Sequence, residues 1–138
     1  MKIIFGYYED ESFGLTEYSE IEFSSSDKQE DIERKGEYKR YLLTGIMEDF
    51  QYPEVLSEFY EEIKMLERGE IDELLWDGQS FQHKIDRERV TFIHTIFGVC
   101  EEYPLWSCRF KEYRKVLKVW KEFLNLPRKE QTKLEVKI

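Results

Sequence analysis

The groups able to do chemistry in this 138-residue sequence are two histidines, two cysteines and 30 carboxylates, and their spacing limits what that chemistry is. His83 and His94 stand in neither a His-x-x-x-His nor a His-Glu-x-x-His arrangement, and two imidazoles alone do not complete a metal site. Cys100 is followed by Glu101 and Glu102, whose charge disfavours a thiolate. Cys108 sits beside Arg109, a better place for a nucleophile, but at the expected start of a helix inside the fold. A nucleophile also needs a base and donors aimed at developing negative charge. No glycine-rich phosphate loop, nucleophile elbow or Cys-x-x-Cys accompanies either thiol, and the seven glycines are dispersed singly. Glu48-Asp49, Glu61-Glu62 and Glu101-Glu102 are adjacent pairs, and neighbours on a helix point to different faces. These residues predict a protein without catalysis, cofactor or metal.

The elements that would position them follow from periodicity. Residues 2–8 are β-branched and aromatic and read as a strand; alternation from Phe13 to Phe23 reads as a second. Ser26, Asp27 and Glu30 resemble a capping box that would start a short helix ending at Gly36. Tyr38, Tyr41, Leu42, Ile46, Met47 and Phe50 form a helical stripe over about 38–50, interrupted by Gly45 at a cost of about 1 kcal/mol relative to alanine. Pro53 opens a helix over about 54–68 with Val55, Leu56, Phe59, Ile63 and Leu66 on one face, and Gly69 closes it.

Asp77-Gly78 is the strongest hairpin signal. With those two residues as the loop, Trp76 faces Gln79, Leu74 faces Phe81, and Asp72 faces His83, which it would orient. Residues 90–97 are nearly continuous in β-formers and read as a strand buried on both faces, with His94 a hydrogen-bonded core residue. Phe110, Tyr113, Val116, Leu117, Trp120, Phe123 and Leu124 trace one face of a helix over about 108–125, with Ser107 as N-cap. Trp76 and Trp120 are assigned to the core. The expected fold is α+β: one domain, 1–138, an antiparallel sheet with a central three-stranded meander (about 70–97) packed against three or more amphipathic helices. Residues 128–138 should fray as a tail.

No stretch approaches the roughly 20 apolar residues of a membrane span, and the apolar start is short for a signal peptide. Two reduced thiols suit a cytoplasmic protein. The net charge is −9, unevenly distributed: Arg109 to the end carries +6 and everything before it −15. Such a field repels nucleic acid and anionic lipid and attracts basic partners. The same acids could equally serve solubility alone.

Gly69-Glu70, then Trp76-Asp77-Gly78-Gln79-Ser80-Phe81 with Ile85 and Val90 beyond, then Tyr113, Leu117, Trp120, Phe123 and Leu124, carry a family resemblance. Over about residues 54–126 the chain resembles small bacterial immunity proteins of contact-dependent growth inhibition and other polymorphic toxin systems. The resemblance implies a cytoplasmic protein that binds and neutralises a cognate toxin domain. Many such toxins are nucleases with basic clefts, which clustered carboxylates would occlude. The expected contacts are Glu9, Asp10 and Glu11 after the first strand, Glu48 and Asp49 between helices, and Asp77 at the hairpin tip, helped by an aromatic anchor or two. The alternative is an acidic adaptor or regulatory protein that binds a basic cellular protein.

Overall fold

A strand stands at each end of the chain, and the fold joins those ends side by side. The computed structural model describes residues 1–138. β1 (Lys2–Asp10) pairs antiparallel with β2 (Gly14–Glu22) on one side and with β7 (Lys133–Lys137) on the other, Phe5 facing Leu134 and Ile3 facing Val136. The C-terminal segment is therefore a sheet strand rather than a frayed tail. Its Leu134 and Val136 alternate with exposed Lys and Glu, as an antiparallel strand with one wet face requires.

A second sheet is a four-stranded meander: β3 (Leu74–Asp77), β4 (Phe81–Ile85), β5 (Arg89–His94) and β6 (Trp106–Arg109). The expected three-stranded unit is present with a fourth strand added. β5 is not buried on both faces. Val90 and Phe92 are buried, Thr91 and Ile93 are half-exposed, and the strand ends at His94. Only one face of this sheet is covered, so only alternate residues are enclosed.

α5 (Phe110–Leu124) lies between the sheets and unites the core. Its C-terminal half packs on the first sheet, with Phe5–Trp120 and Tyr7–Phe123 ring centroids 5.1 and 4.7 Å apart. Its N-terminal half meets the second sheet, with Tyr113 6.1 Å from Phe92. Each such buried aromatic contributes about 1.5–3 kcal/mol through desolvation. The helix begins two residues later than expected. Ser107 lies in β6, and the N-cap is Arg109, whose backbone N–H donates to Glu112 three residues on.

α4 (Pro53–Glu67) starts at its proline and closes as expected: Gly69 N–H donates to the Leu66 carbonyl and Glu70 N–H to that of Met65. The 38–50 stripe is helical in two pieces, a π-helical segment (Tyr38–Leu43) running into α3 (Thr44–Asp49). The wider turn lets Tyr38, Tyr41, Leu42 and Leu43 all reach the core. Gly45 is explained here, because a Cβ on it would lie 3.0 Å from Phe92 Cε1. Two short helical turns, α1 (Gln29–Glu33) and α2 (Lys35–Glu37), precede this segment. Asp27 does not cap α1; it accepts from the Met1 amine and the Ser24 N–H, and the amine holds its carboxyl below the usual range. No helix is long and apolar enough to cross a membrane.

Candidate functional site

The hairpin between β3 and β4 is held from outside. Trp76 faces His83, and Asp77 faces Gln82, so the connection is longer than the expected Asp77-Gly78 loop. Asp49, at the end of α3, reaches into that connection. Its carboxylate accepts from the Ser80 N–H at 2.6 Å and the Phe81 N–H at 3.2 Å, and His83 Nε2 lies 2.7 Å from Oδ2. A Cβ on Gly78 would overlap Asp49 Cγ, so only glycine lets the carboxylate in.

The partner of His83 is therefore Asp49, not Asp72, which pairs with Arg87 at 2.8 Å. His83 Nδ1 meets the Tyr113 hydroxyl at 2.9 Å. Burial pushes the Tyr113 hydroxyl well above the ordinary tyrosine range, so it keeps its proton. An ionised Asp49 can only accept. With a neutral His83 ring, Tyr113 O–H donates to Nδ1 and Nε2–H donates to Asp49. His83 and Asp49 side chains have no solvent exposure, and Tyr113 has none, so this chain of groups is a strut between helix and sheet. The expectation that Asp49 contacts a partner is corrected: its oxygens are consumed inside the protein.

Immediately beside this strut, the β5–β6 connection (residues 95–105) presents apolar side chains to solvent. Ile96 is 78% exposed, Phe97 59%, Val99 59% and Leu105 57%. Their exposure is built rather than loose. His94 Nδ1 accepts from the Ile96 and Phe97 N–H groups at 3.2 and 3.1 Å, and Gly98 N–H donates to the His94 carbonyl at 2.9 Å. Phe97 stacks on the His94 ring, which lies 4.1 Å from Tyr103, and Arg40 covers Tyr103 at 4.0 Å. Tyr41 donates to the Pro104 carbonyl at 2.8 Å. His94 is thus half-buried and hydrogen-bonded, at the root of the loop rather than in the core.

The same loop is tied to the hairpin tip. Thr95 N–H donates to the Ser80 carbonyl at 3.0 Å, and its hydroxyl to the Gly78 carbonyl at 3.2 Å. The Ser80 hydroxyl in turn donates to Glu48. Glu48 and the root of the apolar loop therefore share one hydrogen-bonded corner next to Asp77 in the chain, with exposed Glu101 and Glu102 further along the loop. Asp77 is exposed and accepts from the Gln82 side-chain amide at 2.9 Å. Glu9 and Asp10 do not follow the first strand but end it, and Glu11 begins the β1–β2 turn, where Asp10 accepts from the Ser12 and Phe13 N–H groups at 2.8 and 3.0 Å. No hydrogen bond joins that turn to the corner, although exposed Phe13 places an apolar side chain beside its acids.

Sequence reasoning missed Ile96, Phe97, Val99, Leu105, Glu101 and Glu102. The available signal was Gly98, which interrupts the run of β-formers directly after Phe97. Trp120 is buried as expected and donates to the Phe50 carbonyl at 2.8 Å; Trp76 is half-buried against Phe50 and Phe59. No group of three or more His, Cys, Asp or Glu side chains is arranged to hold a metal ion. The chain matches no family model, and no curated protein and no solved structure matches it either.

Proposed function

We propose that the protein binds and neutralises a basic partner protein, a bacterial toxin domain, by seating the 95–105 loop on it with carboxylates around the contact. One observation carries this reading: a braced loop exposes Ile96, Phe97, Val99 and Leu105 beside Glu101, Glu102 and the corner that holds Glu48, next to Asp77 in the chain. Exposed apolar side chains grouped on one connection, held in place and rimmed by charge, mark interaction surfaces. Phe97 supplies the rigid aromatic anchor and needs little further ordering on binding. The carboxylates steer a positively charged partner and raise its association rate.

The test is survival. Cells carrying a candidate cognate toxin should live when the protein is co-expressed, and should gain no protection against an unrelated toxin. Phe97→Ala should abolish rescue while leaving the melting temperature unchanged. Loss of an anchor of this kind costs about 2 kcal/mol or more in binding. If a housekeeping protein co-purifies instead, through the same loop, the acidic adaptor reading replaces the toxin one. Full rescue by Ile96→Ala/Phe97→Ala removes the loop from the account.

A further inference from the structure

A groove of about 680 Å³ runs between the β1–β2 hairpin and the α3–α4 corner, over the C-terminal end of α5. One of its walls already holds a guanidinium. Arg128 lies 5.1 Å from the Tyr7 ring centroid, donates to Glu17 at 2.6 Å and donates to the Leu15 carbonyl at 3.1 Å. An aromatic face, a carboxylate and a carbonyl together make a set that recognises arginine. The remaining lining offers similar chemistry with no cation in place: Glu48 is exposed, Tyr52 is 62% exposed, and Met47 is half-buried. Only the Ser80 hydroxyl donates to the Glu48 carboxylate, through Oε2. Arg128 neutralises Glu17, so Glu48 remains as the uncompensated charge of the groove.

We propose that this groove receives an arginine side chain of the partner protein, its guanidinium paired with Glu48 and its stem laid along Met47 and Tyr52. Charge complementarity selects the occupant: a groove left with a free carboxylate, in a chain of net charge −9, attracts a cation and not an anion. Its volume lies within the range of about 300–1,000 Å³ seen for ligand pockets, enough for a side chain and its neighbours. Because Ser80 joins Glu48 to the hairpin corner, the groove and the apolar loop can grip one partner together. The inference rests on the reading that the protein binds a basic protein.

The test is calorimetric titration of the full chain with nona-arginine at low ionic strength. Binding is expected to weaken roughly fivefold or more in Glu48→Gln and about threefold in Tyr52→Ala. Glu30→Gln removes the same charge from a cavity that Glu112 also lines, at the opposite end of α5, and should change binding less than about twofold. Equal losses in Glu48→Gln and Glu30→Gln, or no binding at all, would overturn the proposal. Displacement of the peptide by spermine with the same dependence on Glu48 would reassign the seat to a polyamine and overturn it as well. Capture of the natural partner that needs Phe97 but is indifferent to Glu48 defeats the groove alone. Titration as expected, without any partner captured through Phe97, defeats the loop reading alone.

Discussion

At the scale of single residues, a carboxylate that solvent never sees holds the hairpin. Asp49 satisfies two backbone N–H groups of a turn and the imidazole of His83. Hydrogen bonds to a buried charge are worth about 1.5–3 kcal/mol, so Asp49→Asn should destabilise the protein by about that much in urea unfolding. Gly78→Ala should act on the same strut, because its Cβ and the carboxylate cannot share the space. A Gly78→Ala protein as stable as the parent would show that Asp49 does not hold the hairpin. The two thiols should differ sharply. Cys108 is buried and desolvation pushes its thiol well above the ordinary range, whereas Cys100 is half-exposed. A thiol reagent should modify one cysteine in the folded protein and both after denaturation.

At the scale of elements, the amphipathic helices are legible in the sequence because their periodicity is local. α4 and α5 fall within two residues of expectation at either end. The hairpin is legible in its faces but not in its register. Trp76 opposes His83 instead of Gln79, a shift of an even number of positions, so Leu74, Trp76, Phe81, His83 and Ile85 stay on the intended face. The loop length was hidden because the group that stabilises it, Asp49, comes from another element. β7 was hidden for a related reason: its partner is at the far end of the chain, and Lys133–Lys137 carries too little apolar character to announce itself. At Gly45 a tertiary contact opposes a local rule. Alanine would favour the helix by about 1 kcal/mol in isolation. Against Phe92 it overfills the core, so Gly45→Ala should lower stability by about 1–3 kcal/mol in thermal unfolding. A rise in melting temperature would show that Phe92 yields.

At the scale of the whole molecule, one helix joins two sheets, and the covered faces of both sheets and α5 share a single core of 29 buried residues. α5 turns Lys111, Lys115 and Lys118 outward, while the hairpin corner, the 95–105 loop and the β1–β2 turn carry exposed acids. Of the six carboxylates expected from the sequence at a contact, Glu48 is tied to the hairpin through Ser80, Asp77 is exposed and bonded to Gln82, Glu9, Asp10 and Glu11 stand on a separate hairpin, and Asp49 is internal. The aromatic anchor expected from charge and resemblance has a physical candidate in Phe97, which the sequence pattern assigns to a strand and the structure places in an exposed loop. Its exposure depends on His94, Thr95 and Tyr41 bracing the loop, contacts that no local pattern encodes. Association through this surface should slow with added salt, since steering between exposed charges is screened over about 8–10 Å at 0.1–0.15 M ionic strength. The most direct test is amide hydrogen exchange of the protein alone and in the complex purified from its own cells. The account predicts added protection at 95–105 and at the 77–80 tip. Protection confined to the outer face of α5 or to the edge of β2, with 95–105 unchanged, would contradict it.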